Sequence, residues 1–299
     1  MYRPLVALLF AGCVASAAAE VRLLTSVKPL QLIAAAVQDG TGSPAVLLPP
    51  GASPHHYALR PSDVRALREA TLFYWIGPDL ESFLPKVLEG RQGPSLAVQA
   101  LPGLQLRHFE SAEDEDKDEH DHAHRPGSLD VHLWLLPANA RLIAERMAAD
   151  LAAADPDATA RYQTNLAAFR TRLEALDRRL AARLEKLAGK PYFVFHEAYD
   201  YFEAAYGLRH AGVFSISPEV QPGARQVAHM RQRLQEAGPT CVFSEPPLQP
   251  RLAQTLSAGL PVRLAELDPL GSGVPVGPLG YERLLENLAE GLAGCLEAL

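Results

Sequence analysis

Downstream of a break at Asp155-Pro156, apolar residues recur at helical spacing: Leu166, Phe169, Leu173, Leu176, Leu180, Leu184 and Leu187, with arginine and glutamate over the remaining face. Spacings of three and four place them on one stripe of a single helix. About thirty residues of α-helix span about 45 Å, the breadth of a small domain. Such an element is too long to be one more crossover helix. Between two α/β patterns it reads as a rigid strut joining two lobes, its stripe packed into a core and not presented to a coiled-coil partner.

The flanking sequence supports that reading. Strands are expected at residues 21–27, 45–48, 72–76 and 95–98, with helices at 30–37, from Pro61, at 78–88 and at 137–154. Pro61 stands where an N-terminal helix proline belongs. Beyond the strut the alternation resumes, with strands at 191–195, 213–216, 240–244 and 262–267 and helices at 199–206, 223–236, 251–257 and 281–296. Alternation of this kind gives a mostly parallel sheet with helices on both faces. The expected fold is therefore α/β: two such lobes, residues 20–155 and 189–299, joined by a helix within 156–188.

One segment cannot belong to either core. Residues 108–124 hold eight carboxylates, four histidines (His108, His120, His122 and His124) and one lysine. Like charges repel there and no apolar surface is available to bury, so a solvated loop over 108–127 is expected. Carboxylate oxygen and imidazole nitrogen both bind divalent cations, which makes the loop an auxiliary weak metal-binding segment. Its charge of −7 equals the formal charge of the whole chain, so the remainder is close to neutral. No basic face for nucleic acid is indicated. Immediately afterwards His132 follows Asp130 in an apolar, strand-like run, the setting of an ordered histidine.

The N-terminus reads as a secretory signal over residues 1–19: Arg3, an apolar run from Leu5 to Phe10, and Ala17-Ala18-Ala19 before Glu20. Phe10-Ala11-Gly12-Cys13 approaches a lipoprotein box, with Phe where Leu is usual, so a lipid anchor at Cys13 is the lesser alternative. Once residues 1–19 are removed, Cys241 and Cys295 remain. An even count in an oxidising compartment favours a disulfide; two separate buried thiols are the other reading.

Four residues stand where ordered loops leave strands: His55, His132, His196 and Asp268, two in each lobe. Ligands on parallel sheets bind at the carboxyl ends of strands, so these four converge only in a cleft between lobes. Three imidazoles and a carboxylate form a tetrahedral shell suited to Zn2+. Each also has a plain structural role open to it: a hydrogen-bonded core histidine at 132, loop surface at 55 and 56, a strand end at 196, a turn or cap at 268. Glu245 also follows a strand, as a group behind a ligand or as an alternative oxygen ligand. His210, His229 and His108 read as surface or structural. The Gly-rich stretch 271–280 lacks a Lys-Ser/Thr ending and is no phosphate loop.

Gly51-Ala52-Ser53-Pro54-His55-His56-Tyr57 with Arg60-Pro61-Ser62-Asp63, Asp130-Val131-His132-Leu133-Trp134, Phe195-His196-Glu197-Ala198-Tyr199 and Leu267-Asp268-Pro269-Leu270-Gly271 resemble the successive motifs of periplasmic zinc-binding proteins of zinc ABC importers, metal-binding solute receptors with a rigid linking helix. The resemblance spans the mature chain, including Pro218-Glu219-Val220-Gln221-Pro222-Gly223 and Cys241-Val242-Phe243-Ser244-Glu245-Pro246. It implies capture of Zn2+ by His55, His132 and His196, with Asp268, a neighbouring acid or water completing the shell. It also implies a disulfide between Cys241 and Cys295, a membrane permease as partner, periplasmic residence and a monomeric receptor. Manganese members resemble this layout but carry a carboxylate where His196 stands, so the third histidine favours zinc over manganese or iron. His56 departs from the polar or acidic residue common there and leaves the register between His55 and His56 open. The rival classes are a zinc hydrolase, for which Glu197 is the one suggestive base and no His-Glu-x-x-His helix exists, and a lipid-anchored receptor or adhesin of the same fold.

Overall fold

A computed structural model describes residues 21–109, 127–214, 223–246 and 251–299. The first lobe carries β1 (Leu23–Thr25), α1 (Lys28–Val37), β2 (Ala45–Val46), α2 (Pro61–Glu69), β3 (Leu72–Trp75), α3 (Pro85–Leu88), β4 (Ser95–Ala97) and α4 (Pro137–Ala154). The strut is α5 (Thr159–Leu184), bracketed by 3-10 turns at Pro156–Ala158 and Glu185–Leu187. The second lobe follows with β5 (Tyr192–Val194), α6 (Asp200–Tyr206), β6 (Gly212–Val213), α7 (Ala224–Ala237), β7 (Thr240–Ser244), α8 (Arg251–Ser257), β8 (Val262–Glu266) and α9 (Gly280–Leu296). Both sheets are parallel and four-stranded, ordered β2-β1-β3-β4 and β6-β5-β7-β8. In each, the chain leaves the first strand to one side and returns on the other, which opens a crevice at the carboxyl ends of β1/β3 and of β5/β7.

The stripe on α5 is buried as its spacing predicts, from Leu166 and Phe169 to Leu184. It joins one continuous core that runs from β1, β3, α1 and α4 through α5 to α9, Tyr192, Val194, Cys241 and Phe243. The strands of the second sheet divide their residues by the two-residue period of a pleat. Tyr192, Val194, Cys241 and Phe243 face that common core, whereas Phe193 and Val242 face a smaller one with Phe214, Met230, Leu234 and Leu256. The closing helix α9 packs on α1 and α5, so the chain ends between the two lobes. A disulfide joins Cys241 of β7 to Cys295 of α9 across 54 residues. In the chain-entropy model a loop of that length contributes about 4 kcal/mol.

Two elements differ from the sequence expectation. The helix expected over 78–88 is confined to Pro85–Leu88. Pro85 has no N–H to give, and its ring collides with a helical carbonyl four residues back; Glu81 instead folds its side chain onto the backbone N–H groups of Ile76 and Gly77. The run holding His132 is not a strand. His132 caps a 3-10 turn over Leu133–Leu135, whose three residues are all fully buried. A short apolar run buried on every side carries no two-residue period to read. Among the described residues no helix is long and apolar enough to cross a membrane.

Candidate metal centre

His55 lies in the loop between β2 and α2. The entry into α2 fixes that loop: Asp63 accepts the backbone N–H of Arg60 at 2.7 Å and the Tyr57 hydroxyl at 3.0 Å. The Tyr57 ring also lies edge-on to Phe83, with centroids 5.8 Å apart. His132 sits ahead of α4 in a segment held mostly by the second lobe. The Trp134 indole donates to the Pro269 carbonyl at 2.9 Å, Tyr281 donates to the Trp134 carbonyl at 2.7 Å, and Tyr201 donates to the Asp130 carbonyl at 3.0 Å. His196 follows β5, whose ladder continues through Phe195 N–H to the Phe243 carbonyl.

These three imidazoles meet. Each offers a ring nitrogen, and those atoms all lie within 4.8 Å of one another. Ring centroids are 5.8 Å apart for His55 and His132, 5.5 Å for His55 and His196, and 4.8 Å for His132 and His196. His132 and His196 are buried and His55 partly so. His56 is exposed, and it is His55 that joins the cluster with His132 and His196.

Two of the rings are oriented by carboxylates behind them. His132 Nδ1 donates to Asp130 Oδ1 at 2.8 Å, and the same oxygen accepts the His132 backbone N–H at 3.0 Å. His196 Nδ1 faces both oxygens of Glu245 at 3.2 Å. Tyr199 holds Glu245 in turn, donating to its Oε1 at 3.0 Å and to the Leu267 carbonyl at 3.2 Å. A proton kept on Nδ1 leaves Nε2 as the ligand atom and makes it more basic. Burial pushes the Asp130 carboxyl well above the ordinary carboxylate range, against the pull of the His132 N–H. Burial also raises Tyr199, with the Glu245 charge adding to it, so its hydroxyl stays a neutral donor.

Asp268 takes no part in the three-histidine cluster. Its Oδ1 accepts Leu270 N–H at 3.0 Å and Gly271 N–H at 2.9 Å, and its Oδ2 accepts Ser272 N–H at 2.6 Å. Gly271 makes this turn at φ +63°, in the left-handed region, where an added Cβ would press on Leu284. Both oxygens of Asp268 are thus committed to shaping the loop that receives the Trp134 indole. His108 is exposed and bridges to Leu129, while His120, His122 and His124 lie outside the described residues. His229 is exposed on α7. Three neutral imidazoles, two backed by carboxylates in a largely buried setting, suit a borderline divalent cation such as Zn2+.

The profile of the ZnuA family, described as zinc-uptake complex component A, periplasmic, matches residues 23–295. The chain belongs to this family. A Yersinia pestis protein named high-affinity zinc uptake system protein ZnuA is 39% identical over 293 residues, covering 93% of this chain and 92% of its own. The Brucella abortus (strain 2308) protein of the same name is 36% identical over 306 residues, covering 92% and 91%. A crystal structure of ZnuA superposes with a TM-score of 0.77 at 24% identity, over 93% of this chain and 99% of its own. A ZnuA deletion mutant with zinc bound gives 0.76 at 24% identity, over 93% and 98%. At those identities the structural likeness speaks for the fold. Within this ZnuA-family chain, sequence reasoning left Asp130 unassigned as a partner of His132. The signal was its place two residues before the histidine, which lets one carboxylate accept both the ring and the backbone N–H.

Proposed function

We propose that the chain captures Zn2+ in the periplasm on His55, His132 and His196 and presents it to the membrane permease of an ABC-type zinc importer. The observation that carries this is the meeting of three imidazole nitrogens from both lobes within 4.8 Å. Family membership over residues 23–295 supplies the transport context, and the zinc uptake named for its relatives agrees with the donor set. Here the metal is cargo. Two buried imidazoles and one partly buried one, two of them backed by carboxylates, favour tight binding, and ligands drawn from both lobes let the ion stabilise the contact between them by mass action. The imidazoles must be neutral to bind, so affinity falls as pH drops through the histidine range.

The finer assignments belong to the same reading. Residues 1–19 act as the signal, 20–155 and 189–299 as lobes and 156–188 as the linking helix, and the receptor works as a monomer. The 108–124 segment holds zinc weakly and raises its concentration near the cleft. Asp268 shapes its loop and is not assigned as a ligand. A hydrolytic role is not proposed, because Glu197, the base it would need, is gathered into a cluster with Asp200 and His210. Zinc measured per chain after exhaustive dialysis, on the protein and on His196→Ala, tests the site. The parent should retain one tightly held ion and the variant none; a variant that keeps its ion would overturn the assignment.

A further inference from the structure

Lys28 is a cation without a counter-charge. It opens α1 just past the end of β1 and is partly buried, yet its ammonium makes no hydrogen bond or ion pair among the described residues. Burial alone pushes it below the ordinary lysine range, with no carboxylate acting against that. A partly desolvated charge of this kind is stabilised by any anion brought to it.

The side chain lines a cavity of about 50 Å3 between the lobes. One wall is the loop that leaves β2, from Leu48 to Ala52, and the other is Leu270 and Ser272 of the second lobe. The rest of the lining is largely apolar, and Lys28 is the one charged residue in it among the described residues. Both walls are formed in advance. Ala52 N–H donates to the Pro49 carbonyl at 3.1 Å, closing a turn with Pro50 and Gly51 (φ +78°) where a type II turn requires them. Opposite, Ser272 N–H is held by Asp268. The space suits the end of one aliphatic side chain, whereas pockets for small organic ligands run to about 300–1,000 Å3.

Its position decides the occupant. Ala52 stands three residues before His55 on the same loop, so whatever sits in the groove touches both lobes beside the least enclosed metal ligand. A carrier that hands over its ion has to be covered there by the membrane protein that receives it. Further along the loop from Ser272, Val276 and Leu279 are 45% and 57% exposed, the kind of apolar surface that marks a protein contact. We infer that this groove is a docking point for the importer's permease, which seats an aliphatic side chain between the Pro49–Ala52 turn and Leu270 and lays a carboxylate on Lys28. The inference rests on the reading of the chain as a zinc carrier.

Binding of the zinc-loaded mature chain to the permease in lipid nanodiscs tests it. Lys28→Glu sets like charges together and should weaken docking about tenfold or more, and Lys28→Gln should weaken it less. Ser272→Phe fills the cavity and should also weaken docking; it serves if Lys28→Glu fails to fold. All three variants should keep one tightly held zinc and the parent's unfolding midpoint. Variants that dock as the parent does would overturn the proposal, as would weaker docking that appears only where zinc is lost. A parent dimer in sedimentation that Lys28→Glu dissolves would give the groove to a second copy of the chain and overturn it too. A parent that holds zinc yet never docks would refute the carrier reading itself, so that failure is distinguishable from failure of the groove alone.

Discussion

Replacing Asp130 by Asn should weaken zinc binding by about 10- to 100-fold while leaving the metal-free fold at least as stable. Asp130 Oδ1 accepts two N–H groups of His132, at 2.8 and 3.0 Å, inside a fully buried pocket. An amide oxygen preserves that geometry but not the charge, and a charge-assisted bond is roughly twice as strong as a neutral one. The carboxylate strengthens most when His132 donates to zinc and its ring N–H becomes more acidic, so the loss falls on the metal-bound state. Partners behind a ligand are typically worth 10- to 100-fold in affinity, or about 1.4–2.7 kcal/mol. The metal-free protein responds differently. The Asp130 carboxyl is held well above its ordinary range by burial, and its Oδ2 has no hydrogen-bond partner among the described residues. An ionised carboxylate therefore costs stability there, and the neutral amide relieves that cost. Glu245→Gln provides the internal scale. Its contact with His196 is 3.2 Å and its side chain 15% exposed, so a loss of less than about tenfold is expected from a longer, partly screened interaction. Competition with a chromophoric chelator at pH 7, together with thermal unfolding of the metal-free proteins, measures both quantities. Unchanged affinity in Asp130→Asn, or a larger loss in Glu245→Gln, would refute this account of how the rings are oriented.

Burial lifts Glu81 to about 7 against the pull of Ser26 and the Gly77 and Ile76 N–H groups. Its contribution is therefore fully present below the unfolded value of about 4.5 and is lost as pH rises through 7. Glu81→Gln should gain up to about 3 kcal/mol on the parent between pH 5 and pH 8, and denaturant titrations showing the same difference at both pH values would contradict this. Reducing the Cys241–Cys295 bridge, or replacing both cysteines by serine, should cost about 4 kcal/mol from the 54-residue loop; an unmoved unfolding midpoint would count against it. Joining Phe109 directly to Gly127 should keep the tight zinc equivalent and remove the weak equivalents that residues 110–126 contribute in calorimetry; Gly127 N–H already donates to the Phe109 carbonyl at 2.9 Å, so the junction closes locally. Asp268→Ala should lower stability by about 1–3 kcal/mol through unsatisfied loop N–H groups yet retain stoichiometric zinc; loss of the ion with the fold intact would restore Asp268 as a ligand.

The architecture was legible because period and punctuation carry it. The stripe from Leu166 to Leu184 and the strand-helix alternation around it survive any detail of packing. The three histidines were legible as residues at loop openings, although His132 proved to cap a turn and not to end a strand. Asp268 occupies the same kind of place. The following Pro-Leu-Gly-Ser allows an Asp to cap its own turn, and that local bonding captured both oxygens. What no pattern conveys is which carboxylate stands behind which ring. Asp130 was within reach of the sequence, being two residues from its histidine, but Glu245 is 49 residues from His196 and meets it only because β5 and β7 are neighbours.

The way each ligand is held also bears on how metal enters. Swinging the lobes apart would break the Trp134–Pro269, Tyr281–Trp134 and Tyr201–Asp130 hydrogen bonds, each buried and costing about 1–3 kcal/mol if its partner is left unsatisfied. It would also split a core shared by α1, α5 and α9, and strain the helix that the disulfide ties to β7. His132 and His196 are fixed to this frame, one by the second lobe's tyrosines and the other by a sheet strand. His55 is the exception. It is the least enclosed of the three and stands on a loop whose anchor is the Tyr57–Asp63 bond at its far end. Moving that loop leaves those three hydrogen bonds and the core of α1, α5 and α9 in place, and costs the edge packing of Ala52, Tyr57 and Leu59. Local opening at His55 is therefore the cheapest route by which the three-histidine site can exchange its ion.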